Sequence, residues 1–510
     1  MPRLPVSSQS SSVAGTVPPP MFPPASDAAH PPQPRDDRQL SVLTLNCWGL
    51  KYISKLRLQR IKAIASLLAS STTPHYDFVC LQEVWYESKD WRFLKHTLAS
   101  RYPHSKFFYS GAFGSGLAIL SRWAILETKT HPYSLNGQPL HVQHGDWFVG
   151  KACGCVTVDH PRLGLLDVWN THFIAAGGED GPEYKRSHRI TQAFELAKEC
   201  RNSASRGRHV VCVGDLNSTP PSLAIGLMRH VGGLYDSFLD SHPQLPEQAT
   251  SLDQGEDASR IGGHGFAPPN PQRAIEELGV TCDSPLNTWT TGKNLDERAT
   301  RGAGKRLDYV LFRGPVEMQP GSTSYSASAS GRGRLACTSS SVVITDIIPA
   351  HQCSFSDHFG VASTFDILDT ISPSTTNDKP SQHRILTSTL HALSGAFAAS
   401  RSNQMSHFYV FGTALLVAIG LIIASIFQPL GGVNPVFVLL AVVAGWAGTT
   451  MLYSAVIWGE WEKRTLRTVM ELIELELNYL RPAQSGTANG SSNASPSQAL
   501  HDAVREGTLF

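Results

Sequence analysis

The chain has 510 residues, with 43 basic and 42 acidic residues and a formal net charge of +1. The length suggests roughly three domains. The charge balance gives no global field to draw in a nucleic-acid backbone, which calls for a concentrated basic surface, so no nucleic-acid partner is expected. Nine cysteines, an odd number without CxxC pairs, fit neither a disulfide framework nor a structural zinc site. They favour a reducing compartment for the bulk of the chain.

Ten of the first 38 residues are proline and no apolar run precedes them, so residues 1–38 are expected to be disordered rather than a secretory signal. From 39 to 368 short apolar runs such as "SVLTLNCW", "YDFVCLQEVW", "GLAILS", "LGLLDVWNTHF", "RHVVCVGDLN" and "RLDYVLF" read as buried strands ending in polar residues. Between them "RLQRIKAIASLLAS" and "RSHRITQAFELAKEC" carry helical periodicity. The pattern is α/β with helices over sheets. A Gly/Ser-rich stretch near 316–340 reads as a loop insertion.

Residues 369–407 turn polar and Ser/Thr-rich and read as a linker. Two charge-free runs follow, 408–427 and 435–458, joined by "QPLGGVN". Each is long enough to cross about 30 Å of hydrocarbon, so they predict a transmembrane hairpin and an integral, multi-pass protein. Arg401 precedes the first run, Lys463, Arg464 and Arg467 follow the second, and the connecting loop is uncharged. The positive-inside rule then places the large domain and the tail, 459–510, in the cytoplasm. Endoplasmic reticulum, mitochondrion and plasma membrane are not distinguished, and no feature speaks to oligomeric state. The segment 461–480 has helical periodicity and suits a membrane-surface helix, a pairing helix or a solvated one; a disordered end is expected beyond it.

The stretch "GDWFVGKA" (145–152) nearly spells a phosphate-cradling nucleotide loop. Ala152 lacks the hydroxyl that binds Mg²⁺ there, Asp146 adds a negative charge beside the phosphates, and Trp147, Phe148 and Val149 are bulky where the backbone must approach. Nucleotide binding is therefore not expected.

Polar groups recur at the ends of the apolar runs: Asn46, Glu83, His172, Asp215 with Asn217, Asp308, and Asp357 with His358. Singly, each has a bland explanation as a cap, a turn or a satisfied core group. As an ordered set they mark rigidly held chemistry at strand ends.

The ordered motifs "LNCWG", "LQEVW", "TH", "GDLN", "RLDYVLF" and "SDH" resemble those of the endonuclease/exonuclease/phosphatase superfamily. "HGDWFVGKACGCV", "FGSGLAILS", "NTWT" and the C-terminal hairpin resemble its branch of neutral sphingomyelinases and inositol phosphosphingolipid phospholipases C. The resemblance implies a four-layered α/β sandwich and Mg²⁺, with Mn²⁺ as a substitute. It implies Glu83 as the primary metal ligand with Asn46 nearby; a lone carboxylate with polar support suits an ion that keeps several waters. His358, oriented by Asp308 and beside Asp357, would activate water; Asp215, Asn217 and His172 would position the phosphoryl group, with Asp215 or His172 assisting the leaving oxygen. Whether His358 or Asp215 is the general base stays open. Asp146 and Lys151, five residues apart, would organise or regulate the site.

The implied reaction is Mg²⁺-dependent phospholipase C cleavage of a membrane sphingolipid, inositol phosphoceramide or sphingomyelin, to ceramide and a phosphorylated headgroup. Anionic phospholipids are put forward as activators. The alternatives are the same fold acting on phosphoinositides or nucleic acid, and a noncatalytic lipid-binding scaffold; the presence of Glu83, Asp215 and His358 speaks against the last.

Overall fold

The computed structural model describes residues 37–140, 145–178, 181–243, 269–316, 333–369 and 379–480. The expected disordered N-terminus, most of the Gly/Ser-rich insertion and the tail beyond 480 lie outside these.

The strands are β1 (Gln39–Asn46), β2 (Phe78–Gln82), β3 (His104–Phe108), β4 (Leu117–Ser121), β5 (Ile125–Pro132), β6 (Ala152–His160) and β7 (Gly164–His172). They continue with β8 (His209–Asp215), β9 (Tyr235–Asp236), β10 (Asp308–Arg313), β11 (Arg334–Val343), a short ladder of β12 (Ile347–Ile348) with β13 (Cys353–Ser354), and β14 (Gly360–Leu368). Two six-stranded sheets result, ordered β11-β14-β1-β2-β4-β3 and β5-β6-β7-β8-β10-β9. Each contains one parallel pair, β1 with β2 and β7 with β8. A parallel pair needs a crossover, supplied by helix α1 (Arg57–Ala69) in the first sheet and α2 (Ser187–Ser205) in the second.

Side chains alternate across each strand, and the sequence uses both faces. Leu40 and Val42 of β1 meet Val211 and Val213 of β8 and Val310 and Phe312 of β10 in the layer between the sheets. Leu43 and Leu45 face outward, onto Ile61, Ile64, Ala65 and Leu68 of α1. Val210 and Cys212 face the other way, onto Ile190, Ala193, Phe194 and Ala197 of α2. Both helical sets follow an i, i+3, i+4, i+7 spacing that gives one apolar stripe. The result is the four-layered α/β sandwich expected from the motifs.

The C-terminal region differs from its compositional reading. Residues 379–407, read as a linker, are the first part of helix α3 (Lys379–Phe427). Their polar composition hides an apolar stripe, Ile385, Leu386, Ala392, Leu393 and Ala396, buried in the same cluster as α2. Helix α4 (Asn434–Tyr453) continues through a π turn, Ser454–Trp458, into α5 (Gly459–Leu480). α5 is neither solvated all round nor free for a membrane surface: Leu466, Val469 and Ile473 are buried against α3 and the sandwich. Arg201 of α2 clasps Glu476 with hydrogen bonds of 2.6 and 3.1 Å. The two helical stretches 379–427 and 431–480 are each long and apolar enough to cross a membrane, and their most apolar windows are 0% and 6% buried.

Candidate active site

Both parallel pairs end at one edge of the sandwich. Asn46 lies opposite Gln82, the residue before Glu83, and His172 lies opposite Asp215. β10 runs antiparallel to β8 and so begins where β8 stops, with Asp308 opposite Asp215. His358 comes just before β14. Topology thus gathers residues from across more than 300 positions of sequence.

Asn46 ties the two halves together: its Nδ2 donates to Glu83 Oε1 at 3.1 Å and to Asp215 Oδ2 at 3.0 Å. His172 Nε2 lies 3.5 Å from Asp215 Oδ2 and 3.9 Å from Glu83 Oε1. His358 Nδ1 bonds Asp308 Oδ2 at 2.8 Å, which leaves Nε2 facing Asp215 Oδ2 at 3.8 Å. Asn217 braces the edge: its backbone N–H donates to Asp215 Oδ1 and its side-chain amide to the Phe173 carbonyl, both at 2.9 Å. Glu83 and Asn217 hold left-handed backbone, φ 57° and 45°, a costly conformation for residues other than glycine that clusters at functional sites. Asp357 borders the cluster: its Oδ2 lies 3.7 Å from Lys293 Nζ, and its charge acts on Glu83.

Burial sets the electrostatics. It raises the Glu83 carboxyl above its ordinary range, with Asp357 adding to it and Lys151, Asn46 and His358 opposing. It likewise raises Asp215, against the pull of His358 and with the help of Asp308. Burial, then Lys151 and His358, hold His172 well below the usual imidazole range, so it is neutral. Burial also opposes charge on His358, but Cys282, Asp308 and Asp215 lift it well above that range. Because burial pushes the Cys282 thiol itself up, that thiol is neutral and the two carboxylates carry the effect.

Buried polar atoms are normally paired. Glu83 Oε2, Asp308 Oδ1 and Asp357 Oδ1 are buried with no hydrogen-bond partner. Such orphaned carboxylate oxygens suit a cation with oxygen ligands. Asp215, Asp308 and His358 have ligand atoms within 4.8 Å of one another and form one metal-competent group. Nδ1 and Oδ2 of its His358–Asp308 pair already bond each other, which leaves Asp308 Oδ1 and Glu83 Oε2 as unpartnered oxygens.

The stretch resembling a nucleotide loop is a single helical turn, Asp146–Val149. Its Lys151 is 4% exposed and its ammonium lies 4.0 Å from Asp146 Oδ1. Burial lowers the Lys151 pKa, while Asp146, Glu83 and Asp215 oppose that shift. The Asp146–Lys151 pair thus reaches the site through Lys151.

Two braces escaped the sequence reading of individual residues. Arg60 on α1 is fully buried and donates to the carbonyls of Cys47, Trp48 and Phe355, fixing the loops after Asn46 and before His358. The signal was an arginine beside the apolar stripe of α1. "NTWT" acts on the same loop: Asn287 Nδ2 donates to the Ser356 carbonyl at 3.0 Å and Trp289 Nε1 to the Ser354 carbonyl at 2.9 Å.

Residues 43–358 match the Endonuclease/Exonuclease/phosphatase family model. The inositol phosphosphingolipids phospholipase C of Schizosaccharomyces pombe is 32% identical over 332 residues, covering 64% of this chain and 69% of that one. Sphingomyelin phosphodiesterase 2 of Homo sapiens is 35% identical over 209 residues, 41% of this chain and 48% of that one. Among solved structures, sphingomyelinase C from Streptomyces griseocarneus aligns with a TM-score of 0.39 and 17% identity, over 64% of this chain and 99% of that one. The chain belongs to the Endonuclease/Exonuclease/phosphatase family, in the branch of inositol phosphosphingolipid phospholipases C and neutral sphingomyelinases, and is a hydrolase of that type.

Proposed function

We propose that the protein is a membrane-anchored, Mg²⁺-dependent phospholipase C that cleaves phosphosphingolipids, inositol phosphoceramide or sphingomyelin, to ceramide and a phosphorylated headgroup. The observation that carries the reading is the His358–Asp308 pair aimed at Asp215, beside a Glu83 oxygen that no protein group satisfies. The relatives named for these substrates supply the substrate class.

Glu83, supported by Asn46, would hold Mg²⁺, which when bound neutralises charge on the phosphoryl oxygens. Asp308 accepts the Nδ1 hydrogen of His358, so Nε2 is the basic nitrogen. With the ring neutral, Nε2 takes a proton from the attacking water as the new oxygen–phosphorus bond forms; Asp308 and Asp215 favour the protonated ring, so the competent form is populated as pH rises. The bond between phosphorus and the ceramide oxygen breaks, and that oxygen needs a proton. Asp215 or His172 would assist it: Asp215 in its protonated form, which burial favours, and neutral His172 by a hydrogen bond from Nε2. Lys151, in its protonated form, adds positive charge to the Glu83 side.

The charge-free runs 408–427 and 435–458 anchor the domain, with the basic flanks Arg401, Lys463, Arg464 and Arg467 cytoplasmic. Tethering raises the effective concentration of a bilayer-confined substrate. The test is release of water-soluble phosphorylated headgroup from vesicles carrying either lipid, with and without Mg²⁺. Mg²⁺-dependent release from at least one lipid, lost in His358→Ala, is the expected result. No release from either by the folded, vesicle-bound protein would overturn the substrate assignment.

A further inference from the structure

Single exposed apolar residues are ordinary on a protein surface, but three large ones lie on loops that adjoin this site. Tyr52 is 88% exposed and Ile53 70%, on the loop following Asn46; Phe113 is 66% exposed, on the loop between β3 and β4. Both loops are held against the site. A Cβ at Gly49 would lie 2.1 Å from the Glu83 carbonyl, and one at Gly150 2.5 Å from Gly111, so the backbones touch there.

The rim is continuous with the apolar helices. Trp458, the last residue of the second charge-free run, meets Trp147 with ring centroids 4.5 Å apart. The next residue, Phe148, has its ring 6.1 Å from Phe113, and its carbonyl accepts the N–H groups of Ala112 and Phe113. Lys51 lies over the rings of Tyr52 and Tyr86 at 4.8 and 5.0 Å. Aromatic rings mixed with a lysine suit the boundary between headgroups and acyl chains.

We propose that Tyr52, Ile53 and Phe113 are a second contact with the bilayer that carries the two spans, which seats the mouth of the site on that membrane and makes hydrolysis act in cis. The proposal rests on the membrane-anchored reading above. The Trp147–Trp458 contact puts the site end of the sandwich beside the end of the second span. Phe113, which meets Phe148 beside Trp147, is thereby linked to the residue at which that span ends.

The test places an environment-sensitive fluorophore on Phe113→Cys or Ile53→Cys in the full chain, reconstituted in phosphatidylcholine vesicles. The native cysteines are buried except half-buried Cys337, which is replaced by serine. Leu126→Cys is the control, because Leu126 is 57% exposed on β5 at the opposite end of the strands. Labels at 113 and 53 should shift to the blue and be quenched by bromine-labelled acyl chains, while the label at 126 stays aqueous. Equal aqueous spectra at all three positions would overturn the second contact without touching the reaction, since no turnover is read. Loss of the chain from vesicles on an alkaline wash would overturn the anchored reading and this proposal with it. Enzyme in substrate-free vesicles should hydrolyse lipid in separate vesicles at least about tenfold more slowly than lipid in its own membrane; equal rates would overturn action in cis.

Discussion

Asp308 and His358 lie 50 residues apart in sequence, yet the Asp308 carboxylate bonds His358 Nδ1 at 2.8 Å. Asp308 reaches it because β10 begins at the edge where β8 ends. The bond fixes the ring so that Nε2, not Nδ1, faces Asp215.

Asp308→Asn keeps the shape but removes the charge that steadies a protonated imidazole. A positioned acid–base group is worth roughly 10² to 10⁴ in rate, so kcat should fall within that range while KM stays near its original value. Steady-state kinetics on vesicle substrate check it; an unchanged kcat would show that the Asp308 charge does not support His358 in the reaction.

Glu83→Gln should abolish the rise in melting temperature that Mg²⁺ gives the native chain, because a ligand that binds the folded state stabilises it. Without Mg²⁺ the variant should be at least as stable as the native protein, since a buried carboxylate charge that burial disfavours is removed. Thermal unfolding with and without the ion reads both effects.

Gly49→Ala tests the loop that presses on Glu83. The added Cβ would meet the Glu83 carbonyl at 2.1 Å, so the strand end must move. A displacement of about 1 Å costs on the order of 10²-fold in rate. The expected result is that loss of kcat with the fold retained by circular dichroism.

At the far end of the strands, burial and then the neighbouring His160 push buried His209 down to about 4, from an ordinary value of 6.5. Its folded pKa is depressed, so the unfolded chain binds the proton more readily. The contribution is fully present above pH 6.5 and is lost as pH falls toward 4. The loss is on the order of 3 kcal/mol. Denaturant midpoints between those limits should fall more steeply for the native chain than for His209→Leu.

The sequence made the strand-end residues readable because each closes a short apolar run, and six such runs in order are hard to produce by chance. The layers were readable for a similar reason: Val211 and Val213 face one way and Val210 and Cys212 the other. The docking of the C-terminal helices was not. The stripe of α3 lies among serines and threonines, and its partners on α2 stand about 190 positions earlier. Nor does spacing reveal that Lys151 is buried facing Glu83, or that Arg60 ties three loop carbonyls together. Both depend on partners that only the closed sandwich brings near.

The most direct test of the central claim is turnover in ¹⁸O-labelled water, with both products of sphingolipid cleavage weighed by mass spectrometry. Attack on phosphorus predicts label in the phosphorylated headgroup and none in the ceramide, with the signal dependent on Mg²⁺ and absent from His358→Ala. Label in the ceramide, or release that survives in His358→Ala, would contradict it.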